Sequence, residues 1–225
     1  AHATVAVVGC GGLGGPAART LADHGVGRLC LLDDDLVELS NLPRQLHFDR
    51  ADLGHSKSGR LAARLAAAFP GIDCEGLPCR LAADNAEELL AGCDFVVDAT
   101  DNVASKYLLN DLLVRQGTPF VHAGVTGMLA QLLTVLPGRS PCLRCLFPAS
   151  EDAGETAGCQ HAGVIGPLPA LIGTLQGLEA VKVLSAAGNP ITGRLLLYDA
   201  GTGVWRSVTA SVDPSCSACA LAGFR

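Results

Sequence analysis

The chain has 225 residues, of which 49 % are hydrophobic, 16 are Lys or Arg and 22 are Asp or Glu, for a formal net charge of −6. This length suits one large α/β core better than two separate domains, and the dispersed cations lack the basic footprint of a nucleic-acid binder. Mean hydropathy is +0.35, yet no stretch approaches the roughly 20 uninterrupted apolar residues of a membrane span, and without a leader pattern before Gly9 the cytoplasm is the simplest expected location.

In chain order, residues 4–8 form a short β-branched run that stops at Gly9, and Pro16 suits the first turn of a helix predicted to reach about residue 24. Residues 28–32 read as a second apolar strand closed by Asp33. After a polar loop, Leu61 and Leu65 share one face of a helix predicted over 56–69. Strands follow at 73–79, 95–99 and 120–123, with helices near 85–91 and 103–116, an alternation that builds a doubly wound parallel sheet. Residues 127–136 and 193–198 then read as strands, 204–212 alternates as an antiparallel partner of the latter, and 169–184 supplies another helix. Residues 150–166 carry Gly and acidic residues with little periodicity, a long loop of the kind that is usually functional or mobile. The expected fold is a Rossmann-like α/β mixed sheet, parallel in its N-terminal half and antiparallel in its C-terminal half.

The run from Gly9 through Cys10, Gly11, Gly12 and Leu13 to Gly14 is a G-x-G-x-x-G between a strand and a helix, where glycines permit a tight turn and close approach of a nucleotide. Asp33 lies at the end of the next strand, roughly 20 residues on, placed to accept hydrogen bonds from a ribose. A nicotinamide-dependent oxidoreductase would use the same fingerprint. Further residues weigh against that class: Asp33 opens a run through Asp35, Val37, Ser40, Asn41 and Leu42 to Arg44 and Gln45, then come Gly54 and Lys57, and later Asp98, Thr100, Asp101 and Asn102.

This ordered set, G-x-G-G-x-G, D-x-D-x-V-x-x-S-N-L-x-R-Q, G-x-x-K and D-x-x-D-N, resembles the ThiF/MoeB/HesA family, bacterial relatives of ubiquitin-activating (E1) enzymes, over nearly the whole chain. The resemblance implies one E1-like adenylation domain over 1–225, with a nucleotide-binding half (1–126) and a partner-binding half (127–225) whose crossover loop spans about 147–166. It implies ATP-dependent adenylation of the C-terminal carboxylate of a small ubiquitin-like or sulfur-carrier protein with a Gly-Gly tail, with Mg²⁺ as cofactor, a homodimer as the assembly and a sulfur donor as a further partner. Adenylation must neutralise charge where pyrophosphate leaves. Arg44 and Lys57 are the natural cations, one a planar fork and the other a point charge at a helix start. Asn41 donates without adding charge, Asp33 binds ribose, Asp101 suits Mg²⁺, and Gly9, Gly11, Gly12, Gly14 and Asn102 complete the nucleotide site. Asp98 is either part of that site or a cap on the segment after its strand. Lys106 stands where many relatives have Arg, a less directional charge for a phosphate or an acidic partner.

Of the ten cysteines, Cys10, Cys30, Cys74, Cys79 and Cys93 lie in or beside apolar runs and read as core. Cys142 with Cys145, and Cys216 with Cys219, form two C-x-x-C pairs that could close a tetrahedral Zn²⁺ site; a redox motif and incidental thiols compete with that reading. The family pattern favours zinc, tying the crossover region to the carboxyl tail. Cys159 matches a position where some family members carry a cysteine implicated in covalent chemistry with the partner, and both a reactive role aided by His161 and a bystander role stay open. His47, His55 and His122 read as structural, hydrogen-bonded histidines. Family members commonly begin with a helix whose arginine reaches a neighbouring ATP site, whereas this sequence starts almost at its first strand. A non-catalytic subunit that docks a ubiquitin-like protein therefore stands as an alternative beside the enzyme.

Overall fold

A strand sends successive side chains to opposite faces, so a strand apolar throughout needs cover on both. Strand β1 (Thr4–Val8) is such a case: Val5 and Val7 join one core, and Ala6 and Val8 the other. The computed structural model describes residues 2–148 and 163–221, in which an eight-stranded sheet separates these two cores. Helices α1 (Gly14–Asp23) and α2 (Lys57–Ala68) alternate with β2 (Arg28–Leu32) and β3 (Asp73–Leu77). Then come α3 (Ala86–Leu89), β4 (Phe95–Asp98), α4 (Val103–Gln116), β5 (Phe120–Thr126) and β6 (Leu129–Val135). The chain ends with α5 (Leu143–Leu146), α6 (Pro167–Ser185), β7 (Arg194–Asp199), β8 (Val204–Thr209) and α7 (Ser217–Leu221).

The strand order is β3-β2-β1-β4-β5-β6-β7-β8. Pairings from β3 to β5 are parallel and those from β5 to β8 antiparallel, the mixed sheet expected. The order reverses direction at β1, so the crevice between the carboxyl ends of β1 and β4 is where an open α/β sheet binds ligands. Helices α1 and α6 pack closely: a Cβ on Gly177 would come within 2.6 Å of the Thr20 side chain, so only glycine permits this approach.

Boundaries differ from the sequence expectation in places with a physical reason. Strand β3 ends at Leu77, where pairing with Leu32 ends, and β5 runs on to Thr126 because it gains β6 as an antiparallel partner. Helix α6 begins at Pro167, using the proline in its first turn. The 3₁₀ turns at Leu39–Asn41 and Arg50–Asp52, and the short helices α5 and α7, carry too few residues to show periodicity and were not foreseen. Cys10 and Cys30 are buried, and Cys74, Cys79 and Cys93 half-buried, consistent with packing roles. Among the described residues no helix is long and apolar enough to cross a membrane. Cys159, His161 and most of the crossover loop lie outside the described residues.

Candidate active site

The turn from Gly9 to Gly14 sits at the carboxyl end of β1. Gly9 has φ +93°, and a Cβ there would lie 2.6 Å from the Ala99 carbonyl, so the turn is pressed against the end of β4. A Cβ on Gly14 would overlap the Gly9 carbonyl, and one on Gly12 would sit 2.8 Å from the Pro169 side chain and 3.0 Å from the Arg44 carbonyl. The glycines thus bring the start of α6 and the loop carrying Arg44 onto the turn. Asp33, at the end of β2, accepts from Cys10 N at 2.6 Å and Asp35 N at 2.8 Å. Burial raises its pKa against these two hydrogen bonds and the nearby Lys57 charge.

Between β2 and α2 the loop folds back as a scaffold. Asn41 is buried, its Oδ1 accepting from Glu38 N at 3.3 Å, and Arg44 donates to the Ser40 carbonyl at 2.9 Å. Lys57 opens α2 with only 5 % of its surface exposed, and its Nζ donates to Asp35 Oδ2 at 2.6 Å. Asp35 is a partner that reading the sequence missed, although D-x-D already held it. Gln45 was also missed as a site residue. It is 3 % exposed, stands beside Gly11, and its Oε1 has no hydrogen-bond partner. An orphaned buried acceptor at the glycine turn fits a ligand with donor groups. Its sequence signal was its place after Arg44. His47 is a structural histidine, as expected, its Nε2 lying 3.0 Å from the Cys10 carbonyl. Asp52 anchors the loop from within, bound by Arg60 at 2.7 Å and Arg64 at 2.5 Å. Burial pushes its carboxyl up, but the bonds from Asp49 N and Arg60 prevail and hold it below the usual range.

At the end of β4, Asp101 is exposed, one strand over from Gly9. Asn102 caps α4, its Oδ1 accepting from Ser105 N at 2.8 Å, so this oxygen is engaged in a helix cap rather than pointing freely to a nucleotide. Asp98 is buried and accepts at Oδ1 from Thr100 N at 3.1 Å and Thr100 Oγ1 at 2.6 Å. Of the two readings of Asp98, this geometry is that of a residue capping the segment after its strand. Lys106 turns inward, donating to the Ala123 carbonyl at 2.7 Å and reaching Asp98 Oδ2 at 3.4 Å; it is a half-buried counter-charge to Asp98. Gly9, Gly11, Gly12, Gly14, Asp33, Arg44 and Lys57 are thus gathered around the end of β1, with Asp101 and Asn102 on the adjoining rim. Among the described residues no hydrogen bond joins Asp101 to Arg44 or Lys57.

The two C-x-x-C pairs, far apart in sequence, converge. Cys142 Sγ lies 3.9 Å from Cys145 Sγ and 3.6 Å from Cys216 Sγ, and Cys145 Sγ lies 3.5 Å from Cys219 Sγ. All four sulfurs lie within 4.8 Å of one another. A tetrahedral centre with Zn–S near 2.3 Å separates its sulfurs by about 3.8 Å, so the donor set and spacing fit Zn²⁺. Asn110, fully buried, donates to Cys142 Sγ at 3.7 Å and accepts from Leu143 N at 2.8 Å.

The ThiF family matches residues 1–218. The chain is similar to the SAMP-activating enzyme E1 of Haloferax volcanii, 41 % identical over 219 residues, spanning 97 % of this chain and 81 % of the relative. It is similar to the sulfur carrier protein adenylyltransferase of Thermus thermophilus, 41 % identical over 223 residues, spanning 97 % and 82 %. It is also similar to the sulfur carrier protein ThiS adenylyltransferase of Escherichia coli, 39 % identical over 216 residues, spanning 96 % and 85 %. Among solved structures, the fold matches E. coli MccB with ATP at TM-score 0.82 and 22 % identity, covering 96 % of this chain and 66 % of that one.

Proposed function

Because the chain belongs to the ThiF family, we propose that it is an adenylyltransferase of the ThiF/MoeB type that uses ATP to activate the C-terminal carboxylate of a small ubiquitin-like sulfur carrier. Relatives named for SAMP and for ThiS support that substrate class, and the reading spans one domain, with 1–126 as its nucleotide half and 127–225 as its partner half. The observation that carries it is the gathering of the glycine turn, Asp33, Arg44 and Lys57 at the crevice between β1 and β4, with Asp101 on the same rim.

Asp33 holds the ribose hydroxyls, as a carboxylate fixed by two backbone donors is preorganised to do. The glycine turn and the unpartnered Gln45 Oε1 border the space for the nucleotide. Asn41, Arg44 and Lys57 face the phosphates; Lys57, held by Asp35 until then, exchanges one anionic partner for another. Asn102 serves by capping α4 and fixing the backbone beside Asp101. In the reaction a carboxylate oxygen of the carrier forms a bond to the α-phosphorus, the bond from that phosphorus to the bridging oxygen breaks, and pyrophosphate leaves. Asp101, an exposed carboxylate on the rim, would hold Mg²⁺, which would supply charge neutralisation for the leaving group. The four cysteines suit a structural Zn²⁺. A homodimer, a sulfur donor and covalent chemistry at Cys159 rest on the resemblance alone, and a cytoplasmic location on the sequence expectation alone.

The test is carrier-dependent exchange of pyrophosphate into ATP. Asp101→Ala should lower it by on the order of 100-fold or more; exchange at the wild-type rate would remove Asp101 from the mechanism.

A further inference from the structure

Three charged or titratable groups meet inside the protein just behind the rim, where the adenylation reading gives them no part. Asp98 and His122 are each 1 % exposed, and the Lys106 side chain reaches them from α4. His122 Nδ1 lies 2.8 Å from Asp98 Oδ2, and His122 Nε2 lies 3.3 Å from Gln131 Nε2. An amide nitrogen only donates, so Nε2 is the acceptor and Nδ1 carries the proton that is donated to Asp98. Burial and the Lys106 charge lower the pKa of His122 against the pull of Asp98; the ring is neutral, and the cluster keeps one positive and one negative charge. Lys106 contributes charge more than direction, because its close contact is the Ala123 carbonyl, at 2.7 Å, while Asp98 lies 3.4 Å away.

Asp98 works in two directions at once. Its Oδ1 holds Thr100 through both backbone and hydroxyl, and its carbonyl accepts from Gln176 Nε2 of α6 at 2.8 Å. The chain then passes through Asp101 to the α4 cap at Asn102. We infer that His122 is a positioning residue: by holding Asp98 Oδ2 it fixes which way Asp98 Oδ1 points, and so sets the 98–102 turn that presents Asp101. This rests on the role assigned to Asp101 above. Without His122, Asp98 Oδ2 keeps only the longer contact to Lys106, so the carboxylate can rotate about its Thr100 bonds, and a catalytic group displaced by about 1 Å can cost on the order of 100-fold in rate.

Three variants test it. His122→Phe keeps a buried ring but donates nothing. His122→Asn can place an amide donor near the position of Nδ1. His122→Gln, which keeps a polar group but presents its amide at the distance of Nε2, replaces His122→Phe should that variant not fold. The expected result for His122→Phe is carrier-dependent pyrophosphate exchange with kcat lowered about 10- to 100-fold, KM for the carrier unchanged, and a higher Mg²⁺ concentration for half-maximal rate. His122→Asn should recover most of the rate. Hydrogen exchange at the Thr100 amide, which reads the turn without reference to catalysis, should be about 10-fold faster in His122→Phe and near wild type in His122→Asn. Unchanged Thr100 exchange in a folded His122→Phe protein would overturn the inference, as would an unchanged kcat and Mg²⁺ dependence. Full activity of Asp101→Ala, with Thr100 exchange altered as expected, would instead place the fault in the assignment of Asp101.

Discussion

His47 lies beneath the glycine turn and is held neutral by burial, its pKa lowered to about 4, against the hydrogen bond to the Cys10 carbonyl that favours the charged ring. In the unfolded chain its pKa returns to about 6.5. Between these values the unfolded state binds more protons, so stability rises with pH across the window. The contribution is fully present above about 6.5 and is lost as pH falls toward about 4. Wild-type protein should therefore lose roughly 1–2 kcal/mol more than His47→Gln between pH 7 and pH 5, as read from denaturant midpoints; parallel loss in both proteins would show that His47 does not titrate in this window. Site residues were unevenly legible at this scale. Asp33, Arg44 and Lys57 stood in an ordered pattern, whereas His122, Asp35 and Gln45 owe their parts to neighbours far off in the chain.

Helices α5 and α7 show what a cluster can do for elements too short to hold themselves. Each is four or five residues long, well under the length at which an isolated helix persists. They are held by the four cysteines and by flanking contacts: Arg144 makes a two-point pair with Asp111 at 2.6 Å and stacks 4.7 Å over Tyr107, whose hydroxyl donates to the Phe147 carbonyl. With a structural metal, binding energy becomes folding energy for such a region. Elemental analysis of reduced protein should find about one zinc per chain, and stripping it with a strong chelator should lower Tm by on the order of 10 °C. Metal-free protein of unchanged Tm would leave the cysteines as packing residues. The spacing of each pair was visible in the sequence and the family resemblance implied one shared site; the structure brings thiols 74 residues apart to 3.6 Å, an approach that nothing local encodes.

At the scale of the molecule, α6 joins the parallel and antiparallel halves. Gln176 donates to the carbonyls of Asp98 and Val121 on β4 and β5. Glu179, 1 % exposed, accepts from Thr134 Oγ1 on β6 at 2.7 Å and from Ile191 N ahead of β7 at 2.5 Å, and pairs with Lys182. Removing this carboxylate leaves a buried hydroxyl and a backbone amide unpaired and strips the ammonium of its partner. Glu179→Ala should destabilise the protein by about 3–5 kcal/mol in denaturant unfolding; a loss under about 1 kcal/mol would mean that water replaces the carboxylate and that the join is weaker than its geometry.

The sequence by itself determined the alternation of strand and helix, the glycine turn, the acid closing β2 and the family to which the chain belongs, because periodicity, turn chemistry and motif spacing are local properties. Tertiary structure alone decided that Lys57 pairs with Asp35, that Lys106 turns inward to Asp98 and the Ala123 carbonyl, and that His122 meets Asp98. Each depends on which distant groups burial brings together, and the cost of leaving a charge or donor unpaired then selects the partner.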